Sequence, residues 1–408
     1  MDRSNYNDDV QATRRLDSMP SRTVRLPHVG SAPAERAPVT PSPAQHPVQQ
    51  SPRRTSRPTP KRRRSPKHPF LSAILWLITL AIMGAMALRY APSVLSNGKL
   101  IPEIASFIPY LVIPSAIILV PAIAWRRRML TVVTIACLAV QAVWHAGYFM
   151  PAQGKSTATT QAVTAASTQD DVLRVMTLNT AVGQASANEI VALVRDQHVE
   201  VLALQELTDT MLVDLRAAGL YRYLPYSMVG EATGNDNGGR NGLWTLAPMS
   251  NLSSSLLPTA ASASPGASIQ VGTRTLRLVS VHPSSPYSGA RGFWNAGLQS
   301  IRSLAQYEHD YVIMGDFNST WDHSRFRKLL GSAFVDASQQ AGEGFHNTWP
   351  SDPSYLSSVS PVTLPLPPVI EIDHILYARD SGISAGSLQT VKVSGTDHMA
   401  LLATLVVE

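Results

Sequence analysis

Residues 311–318 read Tyr-Val-Ile-Met-Gly-Asp-Phe-Asn (YVIMGDFN): a short apolar run that stops at a glycine and then offers an acid and an amide two residues apart. Such a run, bounded by a turn signal, reads as a buried strand. The pattern recurs on both sides. Val172–Asn179 (VLRVMTLN) reads as a strand ending in a polar residue, and Val199–Leu204, Gly242–Leu246, Thr275–Val281 and Ile372–Tyr377 read as further strands. Helices fall between them. Ser186–His198 opens on a capping-box pattern, Ser186 with Glu189, and carries Ile190, Leu193 and Val194 on one face. Thr208–Ala218 is closed by Gly219, and Ala290–Gln306 reads as a third helix. Strands alternating with helices predict an α/β domain over residues 172–408. No internal sequence repeat stands out.

The polar residues cluster where the apolar runs stop. Asn179, Glu206, His282, Asp316 and Asn318 all sit at or just beyond strand ends. In α/β proteins that edge opens onto a crevice and carries ligand sites. A GDxN tetrapeptide alone is a common turn, and one polar strand end means little. Five residues able to bind a metal or move a proton mean more. Neither a GxSxG nor a P-loop pattern is present.

The preceding 150 residues have a different composition. They hold 19 Lys/Arg against 6 Asp/Glu, whereas residues 151–408 hold 15 against 22. The overall charge of +6 therefore describes neither part, and it does not argue for a nucleic-acid-binding domain. One cysteine, Cys137, excludes an intrachain disulfide and any multi-cysteine zinc site. Residues 1–69 hold 12 of the 30 prolines and read as a disordered basic tail, ending in Lys61-Arg62-Arg63-Arg64 and Lys67.

Three apolar segments follow: 70–88, 104–125 and 129–150. Each is long enough to cross a bilayer core of about 30 Å. Pro109, Pro114 and Pro121 should bend the second, and Trp144 and His145 read as interfacial residues. The basic cluster at 61–67 and the triplet Arg126-Arg127-Arg128 place both flanks in the cytoplasm. Three spans then put the N-terminus inside and everything after 150 outside: a multi-pass cell-membrane protein with an extracellular domain. The Ala/Thr/Ser-rich stretch within 151–171 reads as a flexible linker.

In order along the chain stand TLN (177–179), LQEL (204–207), NGLW (241–244), SVHP (280–283), MGDFN (314–318), IDHIL (372–376) and GTDH (395–398). This series resembles the endonuclease/exonuclease/phosphatase superfamily over about 172–408. The most specific pair is GDFN with a terminal TDH some eighty residues later. The resemblance implies a four-layer α/β sandwich, two packed mixed β-sheets flanked by helices, here preceded by three transmembrane helices and the tail.

It also implies roles. Glu206, with Asn179 and Asp397, would lie on the side of a hard divalent cation, Mg²⁺ or Mn²⁺, which prefers oxygen ligands. Asp316 and Asn318 would orient water and bind a phosphate oxygen. His398 would be the general base, its imidazole oriented by Asp373, and His282 would face the leaving group as general acid. Asn179 and Asn318 would contact substrate; apart from the resemblance, Arg240 follows a Gly/Asn-rich loop just before NGLW and is a further candidate phosphate contact. His374 should point away from Asp373. His309, His323 and His346 have no assigned partner, and His346 and Trp349 lie in a long loop that places both as candidate substrate contacts.

The implied reaction is in-line attack of water on phosphorus. Ala181 stands where several nuclease members carry an Asp, and residues 151–408 hold only three lysines, so duplex nucleic acid is disfavoured as a partner. A local basic patch of Arg325, Arg327 and Lys328 would be its remaining foothold. The expectation is a membrane-tethered, metal-dependent phosphoesterase acting outside the cell on a lipid-linked or envelope phosphate ester or diphosphate. The alternatives are an extracellular nuclease or nucleotide phosphodiesterase, and a catalytically silent binding module. No protein partner follows from the sequence.

Overall fold

The computed structural model describes residues 68–92, 100–150, 166–167, 170–233, 237–258, 261–286, 291–352 and 367–408. The expected tail up to residue 67 and most of the expected linker 151–171 lie outside them. The apolar helices and the α/β domain form one compact unit.

Helix α1 (Pro69–Leu88) is continuous and apolar enough to cross a membrane, as is the segment Arg128–Tyr148, formed by α4 (Arg128–His145) and a terminal 3-10 turn. The second expected span, 104–125, is broken. Helix α2 (Leu100–Ser106) ends at Phe107, a 3-10 turn runs Ile108–Leu111, and α3 (Val112–Ala124) follows with a bend of 62°. Pro109 accounts for the break: it has no N–H to continue the α2 ladder, and it suits the first positions of the 3-10 turn that begins at Ile108. Ile82, Met86, Ile118, Ala122, Leu130 and Cys137 pack between α1, α3 and α4. Leu77, Ile117, Val120 and Val143 remain exposed on the outer faces, an arrangement suited to lipid contact.

The α/β domain owes its layers to alternation. Strands β1 (Val172–Asn179), β2 (Val201–Leu207), β3 (Tyr226–Val229) and β4 (Arg240–Thr245) belong to one sheet, with β11 (Ile383–Lys392) and β12 (Met399–Val407). Its order is β11-β12-β1-β2-β4-β3. The second sheet holds β5 (Ser250–Ser253), β6 (Gly266–Val271), β7 (Arg274–Val281), β8 (Asp310–Asp316), β9 (Phe334–Asp336) and β10 (Asp373–Ala378), in the order β5-β6-β7-β8-β10-β9. Both sheets are mixed: β1/β2 and β7/β8 are parallel and the other pairs antiparallel.

Leu173 and Val175 of β1 face Val312 and Met314 of β8 across the inter-sheet core. Met176 and Leu178 face the opposite way, onto α5 (Ala187–Asp196) and α6 (Asp209–Ala217). Tyr311 and Ile313 likewise face α7 (Arg291–Arg302) and α8 (Ser324–Leu330). A short helix, α9 (Ala337–Ala341), packs against β11. The result is a helix–sheet–sheet–helix sandwich. Ser186 caps α5 by accepting from Glu189 N at 3.3 Å, as its sequence pattern implies. The second strand begins two residues later than expected and runs three further, to Leu207.

Candidate active site

On the inward parity of five strands, apolar residues give way to polar ones at the same edge of the sandwich. In β1 the sequence Leu173, Val175 continues as Thr177, Asn179; in β2, Val201, Ala203 continues as Gln205. In β7, Leu276, Leu278 continues as Ser280 and then His282, and in β8, Val312, Met314 continues as Asp316. Asp373 begins β10 beside Asp316, its antiparallel partner. Beneath the site Thr177 Oγ1 donates to Gln205 Oε1 (3.2 Å) and Gln205 Nε2 donates to Ser280 Oγ (3.2 Å). This buried polar floor ties the two sheets together. Gln205 belongs to the LQEL motif but carries no assigned role there, although its alternation with Ala203 marks it as inward-facing.

Glu206 would face outward on that parity. A bulge in the β2/β4 pairing after Leu204, with Glu206 itself at φ 57°, turns its side chain into the site. Its Oε2 accepts from Val182 N (2.8 Å) and its Oε1 from Asn179 Nδ2 (3.0 Å). Gly238, at φ 86°, lies directly behind it: a Cβ there would fall 2.5 Å from Glu206 Cδ. Asn179 Nδ2 also donates to Asp316 Oδ2 (3.1 Å), while Asn179 Oδ1 accepts from Ala181 N (2.9 Å). Asn179 thus braces two carboxylates through its amide nitrogen.

His398 Nδ1 donates to Asp373 Oδ2 at 2.8 Å, which leaves Nε2 aimed at the cavity, 3.8 Å from Asp316 Oδ2 and 4.0 Å from Asp397 Oδ1. His282 Nε2 lies 3.4 Å from Asp316 Oδ2, 3.8 Å from Glu206 Oε1 and 3.0 Å from Asn237 Nδ2. Burial opposes charge on His398, yet the carboxylates of Asp373, Asp316 and Asp397 lift its pKa to about 10. Burial would raise Asp316, but the His282 hydrogen bond and the charges of His398 and His282 hold it at about 2. Burial keeps Asp373 above the usual carboxylate range despite His398. His282 is raised despite its burial, because Asp316 bonds to it. In the metal-free protein His398 therefore carries a proton at neutral pH.

Asn318, at φ 49°, donates through its backbone N to Asp316 Oδ1 (2.7 Å) and through Nδ2 to Pro283 O (3.1 Å). Asp397 Oδ2 accepts from Trp349 Nε1 at 3.1 Å. These residues line one cavity of about 530 Å³, to which Pro102 and Ser106 of α2 also contribute. Seven expected residues meet there: Asn179, Glu206, His282, Asp316, Asn318, Asp397 and His398. Asp373 lies behind His398. Arg240 is not brought in: it starts β4 and its guanidinium pairs with Asp209. His374 points away, as expected, toward Asp336 Oδ2 (3.0 Å) and Ser319 O (2.8 Å). The donors suit a hard divalent cation: carboxylates of Glu206, Asp316 and Asp397 with no thiol among them.

The loop that follows GDFN docks the apolar helices. Asp322 accepts from Arg89 Nε (2.6 Å), and His145 Nε2 lies 3.0 Å from its other oxygen. His145 is thus a buried contact of the loop after GDFN rather than an interfacial residue. Thr320 N donates to His323 Nδ1 (2.8 Å), so Nε2 carries the proton donated to Pro102 O (3.0 Å). Burial depresses the pKa of His323 to about 4. Arg327 donates to Trp321 O and to Arg89 O, so this member of the expected basic patch is committed to the junction. Neither Asp322 nor His323 was assigned a role from sequence, because their partners lie more than 170 residues away.

A family model described as "Endonuclease/Exonuclease/phosphatase family" matches residues 176–398. No curated protein matches the chain. Similar solved structures include Danio rerio TDP2 complexed with a single-strand DNA product (15% identity, 58% of this chain and 99% of that one, TM-score 0.46). Another is sphingomyelinase C from Streptomyces griseocarneus (19%, 57% and 99%, TM-score 0.40). A third is the human Nocturnin catalytic domain with a bound sulfate anion (16%, 59% and 97%, TM-score 0.41).

Proposed function

The chain belongs to the endonuclease/exonuclease/phosphatase family, divalent-metal-dependent hydrolases of phosphoric ester bonds, and from that premise we propose that it is a membrane-anchored phosphoesterase working on the outer face of the cell membrane. The observation that carries this reading is the convergence of Asn179, Glu206, His282, Asp316, Asn318, Asp397 and His398 on one cavity.

Glu206, Asp316 and Asp397 would hold the cation, taken here as Mg²⁺ or Mn²⁺, with Asn179 fixing the first two carboxylates. What such a cation supplies when bound is positive charge for the phosphoryl oxygens and an offset to the carboxylates that keep His398 protonated. Asp316 and Asn318 position the attacking water. His398, its Nδ1–H fixed by Asp373, takes the water proton on Nε2 as the new O–P bond forms. That role requires Nε2 to have lost its resting proton first. His282 donates a proton to the departing oxygen as the opposite P–O bond breaks.

The anchoring side of the reading is supported by which helix ends meet the domain. Arg89 follows α1, Pro102 belongs to α2, and His145 ends α4; all three contact the α/β domain. Arg126, Arg127 and Arg128 lie at the other ends of α3 and α4. With those arginines in the cytoplasm, the active site lies outside.

The test uses full-length protein in detergent with Mg²⁺ or Mn²⁺, an EDTA control and His398→Ala. Bis(p-nitrophenyl) phosphate, p-nitrophenyl phosphate and plasmid DNA are compared. Metal-dependent hydrolysis of a nitrophenyl ester, lost in His398→Ala, is the expected result. No turnover by folded protein on any of the three would sink the reading, and preferential cleavage of DNA would redirect it to a nuclease.

A further inference from the structure

A second group of titratable side chains lies outside the active-site cavity. His374, which alternates with Asp373 along β10, meets Asp336 at the end of β9 and Glu371 just before β10. One ligand atom from each of the three falls within 4.8 Å of the other two. All three residues are buried, with exposures of 2% for Asp336, 4% for Glu371 and 0% for His374.

Two of them are held on one side and open toward the group on the other. His374 Nε2–H donates to Ser319 O at 2.8 Å, and Nδ1 lies 3.0 Å from Asp336 Oδ2. Metal-binding histidines are commonly held in this way, with the ring N–H on a carbonyl and the other nitrogen on the ion. Asp336 Oδ1 accepts from Ser338 N (3.1 Å), which leaves Oδ2 for the group. Glu371 is the least satisfied. Both of its carboxylate oxygens are buried with no hydrogen-bond partner among the described residues. Protonation alone does not remedy this, because a carboxylic O–H needs an acceptor of its own.

Charge and size both suit a divalent cation. Burial, reinforced by Asp336, pushes Glu371 up to about 8. Burial opposes charge on His374, yet Asp336 lifts it to about 9. Protons are thus retained between two acids and an imidazole. A divalent cation replaces them and balances two carboxylates beside a neutral imidazole. With bonds of about 2.0–2.1 Å, two ligands of one Zn²⁺ stand about 3–3.4 Å apart, and Asp336 and His374 already meet at 3.0 Å. Glu371 and Tyr148 line a crevice of about 30 Å³, room for one water molecule or ion. The imidazole among the donors favours Zn²⁺ over Mg²⁺.

We propose that Asp336, Glu371 and His374 form a second metal site, which takes Zn²⁺ and is separate from the cavity of Glu206 and Asp316. The ion clamps the end of β9 to the start of β10, and two of its ligands bracket Asp373 in the sequence. Zinc binding here does not depend on the chemistry of that cavity.

The experiment uses full-length protein in detergent carrying Glu206→Gln, which weakens cation binding in the active site, with and without Glu371→Gln. Glutamine keeps the shape of Glu371 and removes a buried acid, so the metal-free double variant should fold. Each protein is stripped with EDTA, given Zn²⁺ and dialysed. Retained zinc is then counted by mass spectrometry, and thermal unfolding is compared with the stripped form. Glu206→Gln should keep about one zinc per chain and melt roughly 5 °C or more above its stripped form. Adding Glu371→Gln should abolish both effects.

Should the double variant misfold, wild-type crystals grown with Zn²⁺ are measured at the zinc absorption edge. An anomalous peak bonded to Asp336 Oδ2, Glu371 and His374 Nδ1 supports the proposal. No zinc retained by Glu206→Gln, zinc retained equally with Glu371→Gln, or anomalous signal confined to the active-site cavity would each overturn it.

Discussion

Arg89 Nε donates to Asp322 Oδ1 at 2.6 Å, joining the residue that follows the first apolar helix to the loop six residues beyond cavity-lining Asp316. Both side chains are almost fully buried, and His145 closes the group from the end of α4. Removing one partner of a buried charged group strands the others. Asp322→Ala should therefore cost about 3–5 kcal/mol of stability. It should also lower kcat, because the loop that carries Asp322 begins at Asn318. Thermal unfolding in detergent, read beside kcat, tests this. An unchanged melting temperature would mean that the helices and the domain are not held together here.

Gly238 stands against the back of Glu206. Replacing it with Ala puts a methyl group 2.5 Å from Cδ and 2.6 Å from Oε2, at a φ of 86° that side chains rarely adopt. Glu206 must move; with Glu206 holding the cation as proposed, displacing its support should weaken the metal by about ten- to a hundredfold. Gly238→Ala should raise the Mn²⁺ concentration for half-maximal activity accordingly. Gly292→Ala, at a site with no heavy atom within 4 Å, is the control and should leave it unchanged.

The strand parity that builds the sandwich can be read from the sequence, because strands buried on both faces appear as short continuous apolar runs. The same parity carries Asn179, His282 and Asp316 into the site, which is why those residues could be named in advance. Glu206 is marked only by its place after an apolar run, and its inward direction is not legible there. Its position depends on a bulge and a left-handed backbone that no local pattern announces. Strands β3, β5 and β9, of three or four residues each, are too short to give a periodic signal. Arg240 looked like a phosphate contact because it follows a Gly/Asn-rich loop, but Asp209, next to the cap of α6, is its partner. The docking of α2 was equally hidden, since His323 meets Pro102 across 221 residues of chain.

The Asp373–His398 pair yields a prediction that can be read without substrate. Asp373 is fully buried, and its negative charge is the main influence holding the His398 proton against burial. In metal-free protein the imidazolium signal of His398 should persist to about pH 10 by NMR, and Asp373→Asn should lower that midpoint substantially. Because the folded-state value lies above the unfolded one of about 6.5, the stabilisation is complete below that pH and is lost as pH rises through about 10. With metal and substrate, Asp373→Asn should reduce kcat by roughly a hundredfold or more while changing KM little. A change confined to KM would assign Asp373 to binding instead.

His323 reports on the other side of the site. Its Nδ1 accepts from Thr320 N and its Nε2–H donates to Pro102 O, so a second proton has nowhere to bind without breaking the first contact. Burial sets its folded-state pKa at about 4, against about 6.5 when unfolded. Between those values the unfolded chain binds more protons. Stability from this residue is therefore complete above about pH 6.5 and is lost as pH falls toward 4, in total about 3 kcal/mol. His323→Gln keeps a donor and an acceptor but does not titrate, so its melting temperature should fall less than the wild type's between about pH 7 and about pH 5. Parallel pH profiles for the two proteins would show that His323 is already solvated, and that α2 is not held to the loop after GDFN through its imidazole.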